Sequence, residues 1–117
     1  MGFRRDLYSA LKNGVFLVSN RIYPLVMPQD TQHSAVVYTV IGDAEQAGLC
    51  GIRHSSDMEV QIDVFAKEYS DSVAIKDEVI AAIRSSFNAA GVRNYEVYED
   101  ITLKYRQIIT FRVNGYE

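Results

Sequence analysis

The chain changes period abruptly between Met58 and Phe87, and that change constrains the fold more than any other feature. In "DMEVQIDVFAKEY", Met58, Val60, Ile62, Val64 and Ala66 alternate with Glu59, Gln61, Asp63, Phe65 and Lys67. This is the period of a strand with one face on a core and the other mostly in water. Phe65 interrupts the polar face and marks a candidate subunit contact. The next stretch, "YSDSVAIKDEVIAAIRSSFNAAG", repeats its apolar residues every three or four positions. Ile75, Val79, Ile83 and Phe87, flanked by Val73, Ile80 and Ala82, form a broad stripe, which predicts a helix over about 71–90. Ser70, Asp71 or Ser72 is placed to cap its start, and Gly91 to stop it. A half-buried strand running directly into an amphipathic helix requires a sheet with a helix layered on it.

The flanking segments extend that plan. "FRRDLYSALKNG" places Phe3, Leu7, Ala10 and Leu11 on one face and ends at Gly14, predicting a short helix that must dock to be stable. "VFLVSN" either extends this helix or turns and packs on it. "SAVVYTVIG" is rich in β-branched residues and predicts a strand apolar on both faces. "DAEQAGLCGIRHSS" carries glycines at 48 and 51 and reads as a loop or a short edge strand. "VRNYEVYED" and "LKYRQIITFRVNG" predict two antiparallel strands. In the second, Tyr105, Gln107, Ile109, Phe111 and Val113 share one face, while Lys104, Arg106, Ile108, Thr110 and Arg112 share the other. The expected fold is α+β, an antiparallel or mixed sheet of about four strands against two helices, in one domain spanning 1–117.

Composition narrows the function classes. Twelve basic against fifteen acidic residues leave a net charge of −3, with no cationic footprint for wrapping nucleic acid. No apolar run approaches the length that spans a bilayer, and the charged amino terminus lacks a secretory core. Cys50 is the single cysteine, which excludes an internal disulfide and a thiolate metal cluster. His33 and His54 lie in polar stretches without metal-ligand spacing. Neither Asp43 with Glu45 nor Glu99 with Asp100 has a spacing that orients two carboxylates across a cleft. His54 beside Ser55 and Ser56 specifies no triad. The expectation is a chain with no catalytic residue, no metal site and no cofactor. Tyr95, Tyr98, Tyr105 and Tyr116 gather near Arg93, Arg106 and Arg112, a pairing of residue types suited either to sheet packing or to a protein interface.

The segment "RIYPLVMPQD" contains both prolines, Pro24 and Pro28. Each fixes one dihedral and biases its predecessor away from the helix, so the segment runs extended or turned. Two readings remain open. In one, a buried crossover packs Ile22, Leu25 and Val26 on the core; in the other, Tyr23, Pro24, Leu25 and Met27 form a preordered contact ridge.

Taken together, "DLYSAL", "RIYPLVMPQDTQHSAVVYTVIG", "EVQIDVFAKEYSDSVAIKDEVIAAI" and "YEDITLKYRQIITFRV" resemble, in order and spacing, the tail-completion family of tailed phages, a minor tail protein type found in prophages. More distantly, the chain is similar to the tail terminator proteins of long-tailed phages. The resemblance implies a structural protein of the virion tail, assembled in the host cytoplasm. It implies a homo-oligomer, a hexameric ring, that ends tail-tube polymerisation and joins tail to head, with the tail tube and head-completion proteins as partners. DNA would pass through without specific binding. A head-completion, neck or tube protein is the alternative, and a small ligand-binding or enzymatic domain a more remote one. On this reading the loops at 29–34 and 42–56 project from the ring. Phe65, Tyr98, Tyr105 and Arg106 join Tyr23, Pro24, Leu25 and Met27 as candidate interface residues.

Overall fold

The computed structural model describes residues 2–18, 21–27, 33–47 and 53–116. Seven elements follow in chain order: α1 (Phe3–Gly14), β1 (Ile22–Pro24), β2 (Ala35–Ala47), β3 (Arg53–Ala66), α2 (Tyr69–Ser86), β4 (Ala89–Glu99) and β5 (Lys104–Tyr116). The strands form one five-stranded sheet in the order β1-β2-β3-β5-β4. The β1–β2 pair is parallel and the other three pairs are antiparallel, so the sheet is mixed. The fold is α+β as expected, with the short β1 as the additional strand.

Alternation in β3 sorts the sheet into two faces. Val60, Ile62, Val64 and Ala66 are buried, and register places Phe111, Ile109 and Gln107 beside the first three. Helix α2 lays Ile75, Val79 and Ile83 over this face, and α1 adds Phe3, Leu7 and Leu11 to the same core. The two helices approach closely at Gly14, where a Cβ would lie 2.5 Å from the Cβ of Ala82. Glycine is therefore needed here for close contact, while α1 ends at Val15, which is extended. After Gly14 the chain leaves the helix but keeps Val15 and Val18 buried. The carboxylate Oε1 of Glu78 accepts hydrogen bonds from the backbone amides of Phe16 and Leu17 at 3.2 and 3.3 Å, tying this turn to α2.

Several local expectations need correction. The stretch after Gly42 is not a loop up to Ser56, because β2 continues to Ala47 and β3 begins at Arg53, forming a long hairpin arm. Thirteen residues at about 3.4 Å each span roughly 44 Å, which accounts for most of the 52 Å long axis. Residues 28–32 and 48–52, with Pro28 and Cys50, lie outside the described residues. Helix α2 runs Tyr69–Ser86 rather than 71–90. Ala89 pairs with Val113 in β4, so sheet pairing overrides the helical preference of the two alanines. Gly91 ends no helix; it takes φ 63° where the β4–β5 register shifts between Ala90 and Arg93. No side chain caps α2, and Ser72 Oγ donates to the Tyr69 carbonyl at 2.7 Å instead.

The face away from the helices is less wet than the alternation predicts. Asp63 is only 6% exposed. The guanidinium of Arg106 lies against it, with Nε and Nη2 donating to Oδ1 at 3.2 and 3.1 Å, while Gln61 Nε2 donates from the other side.

Candidate functional site

The sheet separates the candidate interface residues into three places. Tyr23, Pro24, Leu25 and Met27 lie at the β1 edge, while Tyr98 belongs to β4 at the opposite edge. Phe65 and Arg106 are register partners on the open face, whereas Tyr98 pairs with Tyr105 on the helix-bearing face. They do not form one patch.

At the β1 edge, Ile22 alone of the three proposed core residues is buried; Leu25 and Val26 are 69% and 74% exposed. Parallel pairing puts Ile22 beside Val36 and Tyr23 beside Val37. Arg21 anchors the segment, donating from Nε to the Ser34 carbonyl at 2.7 Å. Leu25 then takes φ 64°, and the Val26 amide donates to the Pro24 carbonyl at 2.7 Å. This is a γ-turn with positive φ, a strained conformation for a branched residue. It directs two apolar side chains away from the core, so the buried-crossover reading is overturned for Leu25 and Val26.

On the open face, Arg106 is engaged internally. Besides Asp63 it donates from Nη1 to Glu99 Oε2 at 3.3 Å, and its guanidinium carbon lies 5.5 Å from the centre of the Phe65 ring. Phe65 is half-buried under that group. Further along this face, Ile41, Glu59, Arg93, Thr110 and Arg112 line a shallow trough of about 420 Å³. Arg112 pairs there with Glu59 at 2.9 Å.

The third place is a cluster of three tyrosines at the start of α2. Tyr105 lies between Tyr69 and Tyr98, with ring centres 5.6 and 4.9 Å apart. Tyr69 and Tyr98 are 48% and 47% exposed. Glu96 Oε2 accepts from the Tyr69 hydroxyl at 2.7 Å and from Gln107 Nε2 at 3.0 Å. These two hydrogen bonds, first that of Gln107, hold the Glu96 carboxyl below its ordinary range, and the bond to Glu96 raises the Tyr69 hydroxyl above its own. Gln107 is buried; its Nε2 also donates to Ser72 Oγ, and its Oε1 accepts from Asn94 Nδ2 at 3.2 Å. Sequence reasoning did not assign Tyr69, Glu96 or Gln107 to a site. The available signal was Gln107, a lone amide in an otherwise apolar or aromatic strand face.

Strand β4 is the last of the sheet, and most of its residues on both faces are exposed. The hairpin that follows carries Ile101, 97% exposed, and Leu103 with φ 57°. Long exposed edges of this kind offer backbone groups to a further strand. Among the described residues, no three His, Cys, Asp or Glu side chains group as metal ligands. His33 is exposed. Glu99, one of the carboxylates considered for acid–base work, is instead bonded to Arg106 and to Thr102 Oγ1.

The fold is shared with a chain of a virus-like particle. A chain from the virion of a native gene transfer agent particle superposes with a TM-score of 0.67 at 15% identity. The match covers 95% of this chain and 92% of that one, so the two share the fold over nearly their whole length. No family model matches the sequence, and no curated protein does.

Proposed function

We propose that the chain is a structural protein of a phage-like virion, in which it forms a ring that ends tail-tube polymerisation and offers the surface joining tail to head. The observation that carries this reading is the full-length fold match to a chain of a gene transfer agent virion. The sequence resemblance to tail-completion proteins points the same way and adds the finer role.

The surfaces support an assembling chain. Leu25, Val26, Ile101 and Leu103 are large apolar side chains left exposed at turns, where contact with protein would remove them from water. The long edge of β4 suits strand pairing with a neighbour. A ring closed by cyclic symmetry leaves no lateral site vacant, which suits a part that must stop growth. The balance of −3 lets DNA pass through a lumen without strong attraction. The role is non-catalytic and uses no cofactor. The partners are copies of the chain itself, the tail tube and a head-completion protein, and the chain ends in the virion tail after assembly in the host cytoplasm.

Sedimentation of the purified chain at high concentration, with negative-stain imaging of the same sample, tests the reading. Discrete closed rings are the expected result. Tubes that lengthen with concentration would overturn termination in favour of a tube subunit. A species that stays monomeric alone and when mixed with tail tubes would overturn assembly altogether.

A further inference from the structure

We propose that the tyrosine cluster beside α2 is a recognition notch for an arginine side chain presented by a partner protein. This is a chemical specificity that does not depend on ring formation. The notch, about 180 Å³, is lined by Tyr69, Glu96, Tyr98, Tyr105 and Gln107, together with Val97 and Arg106. Its dimensions suit one guanidinium and the end of its stem, rather than a metabolite of ordinary size.

The chemistry is complementary to that group. Tyrosine rings attract a cation through their negatively polarised faces, and a planar guanidinium can stack on one while directing its donors sideways. Tyr69 and Tyr98 are each about half exposed, with Tyr105 packed between them. Glu96 supplies the carboxylate. Both of its hydrogen bonds fall on Oε2, so Oε1 is open to a further donor among the described residues. The carboxylate is held in place before any partner arrives, because Gln107 is itself fixed by Ser72 and Asn94. Such preorganisation lowers the cost of ordering the site on binding.

Charge around the notch favours the same occupant. Glu68, Asp71, Glu96 and Asp100 lie in the flanking segments, against Lys67, Lys76 and Lys104; Lys76, whose charge acts on Glu96, is paired with Asp77 at 2.9 Å. Arg106 directs its guanidinium to Asp63 and Glu99, on the other face of the sheet. It therefore leaves the notch to an incoming cation.

The test uses the full chain, isotopically labelled, titrated with Nα-acetyl-arginine N-methylamide and followed by amide chemical shifts. The neutral isostere Nα-acetyl-citrulline N-methylamide is the control. Saturable shifts at Glu96, Tyr98 and Tyr105 are expected for the arginine probe, with affinity for citrulline lower by about tenfold. Glu96→Gln should weaken the arginine probe by a similar factor, its amide spectrum reporting whether the chain is folded. Tyr98→Leu, which leaves both hydrogen bonds to Glu96 in place, should weaken it too. Equal binding of the two probes, no saturable shift, or unchanged affinity in both folded variants would overturn the proposal. Loss of ring assembly without loss of probe binding would count against the proposed function and leave the notch standing.

Discussion

Replacing Arg106 by methionine should destabilise the chain by about 2 kcal/mol, and the structure gives the reason. Asp63 is buried, and two of its side-chain hydrogen bonds come from Arg106 at 3.1–3.2 Å. Methionine fills much of the same space but leaves the carboxylate with Gln61 as its side-chain donor. A hydrogen bond to a charged group contributes about 1.5–3 kcal/mol, and removing one partner of a fully buried pair costs about 3–5 kcal/mol. The Arg106 side chain is 27% exposed, so water can reach the vacated space. The cost therefore falls at the lower end of those ranges. Adding Asp63→Val should restore most of the loss, because Asp63 lies between Val37 and Ile108 in the sheet and an apolar side chain suits those neighbours. Urea unfolding followed by circular dichroism reads both effects. With a slope of about 1.5 kcal/mol per molar urea, the single variant shifts the midpoint down by about 1.3 M. A single variant within about 0.5 kcal/mol of the parent, or a double variant that loses the sum of the two single effects, would refute the reasoning.

Other perturbations follow from the same geometry. Gly14→Ala should cost about 1–3 kcal/mol by forcing α1 from α2, and Ala82→Gly in the same chain should recover part of it, both read from thermal midpoints. Gly91→Ala should cost about 1–2 kcal/mol through its left-handed backbone, whereas Gly42→Ala, with open space around its Cβ position, should change stability little. Gln107→Met should raise the Glu96 carboxyl toward its ordinary value in an NMR titration, since Gln107 is the largest cause of its lowering. A depressed carboxyl contributes stability above its unfolded-state value and loses that contribution as pH falls through the folded value. The parent should therefore lose this contribution on acidification and the variant should show less of that loss.

The strand-to-helix switch at Met58–Phe87 was legible because both periods were carried by large apolar residues with polar residues between them. The arm at 42–56 was not, because Gly42, Ala44, Ala47 and Ser55 offer little β preference, and the strands there are specified by pairing with each other. The end of α2 was overextended for the opposite reason: Ala89 and Ala90 favour helix locally, and the β5 ladder takes them. At the candidate site, the sequence supplied residue types but not faces. Tyr98 and Arg106 are near neighbours across β4 and β5, yet the pleat directs them to opposite sides of the sheet. Leu25 was ambiguous because a positive φ at a leucine is set by the turn around it rather than by its own preference.

The proposed function makes the chain a phage or prophage product, so deleting its gene there and imaging the resulting particles by electron microscopy tests the central claim most directly. The account predicts overlong tails separate from filled heads. Tails of normal length joined to intact heads would contradict it, as would normal tails beside empty or leaking heads.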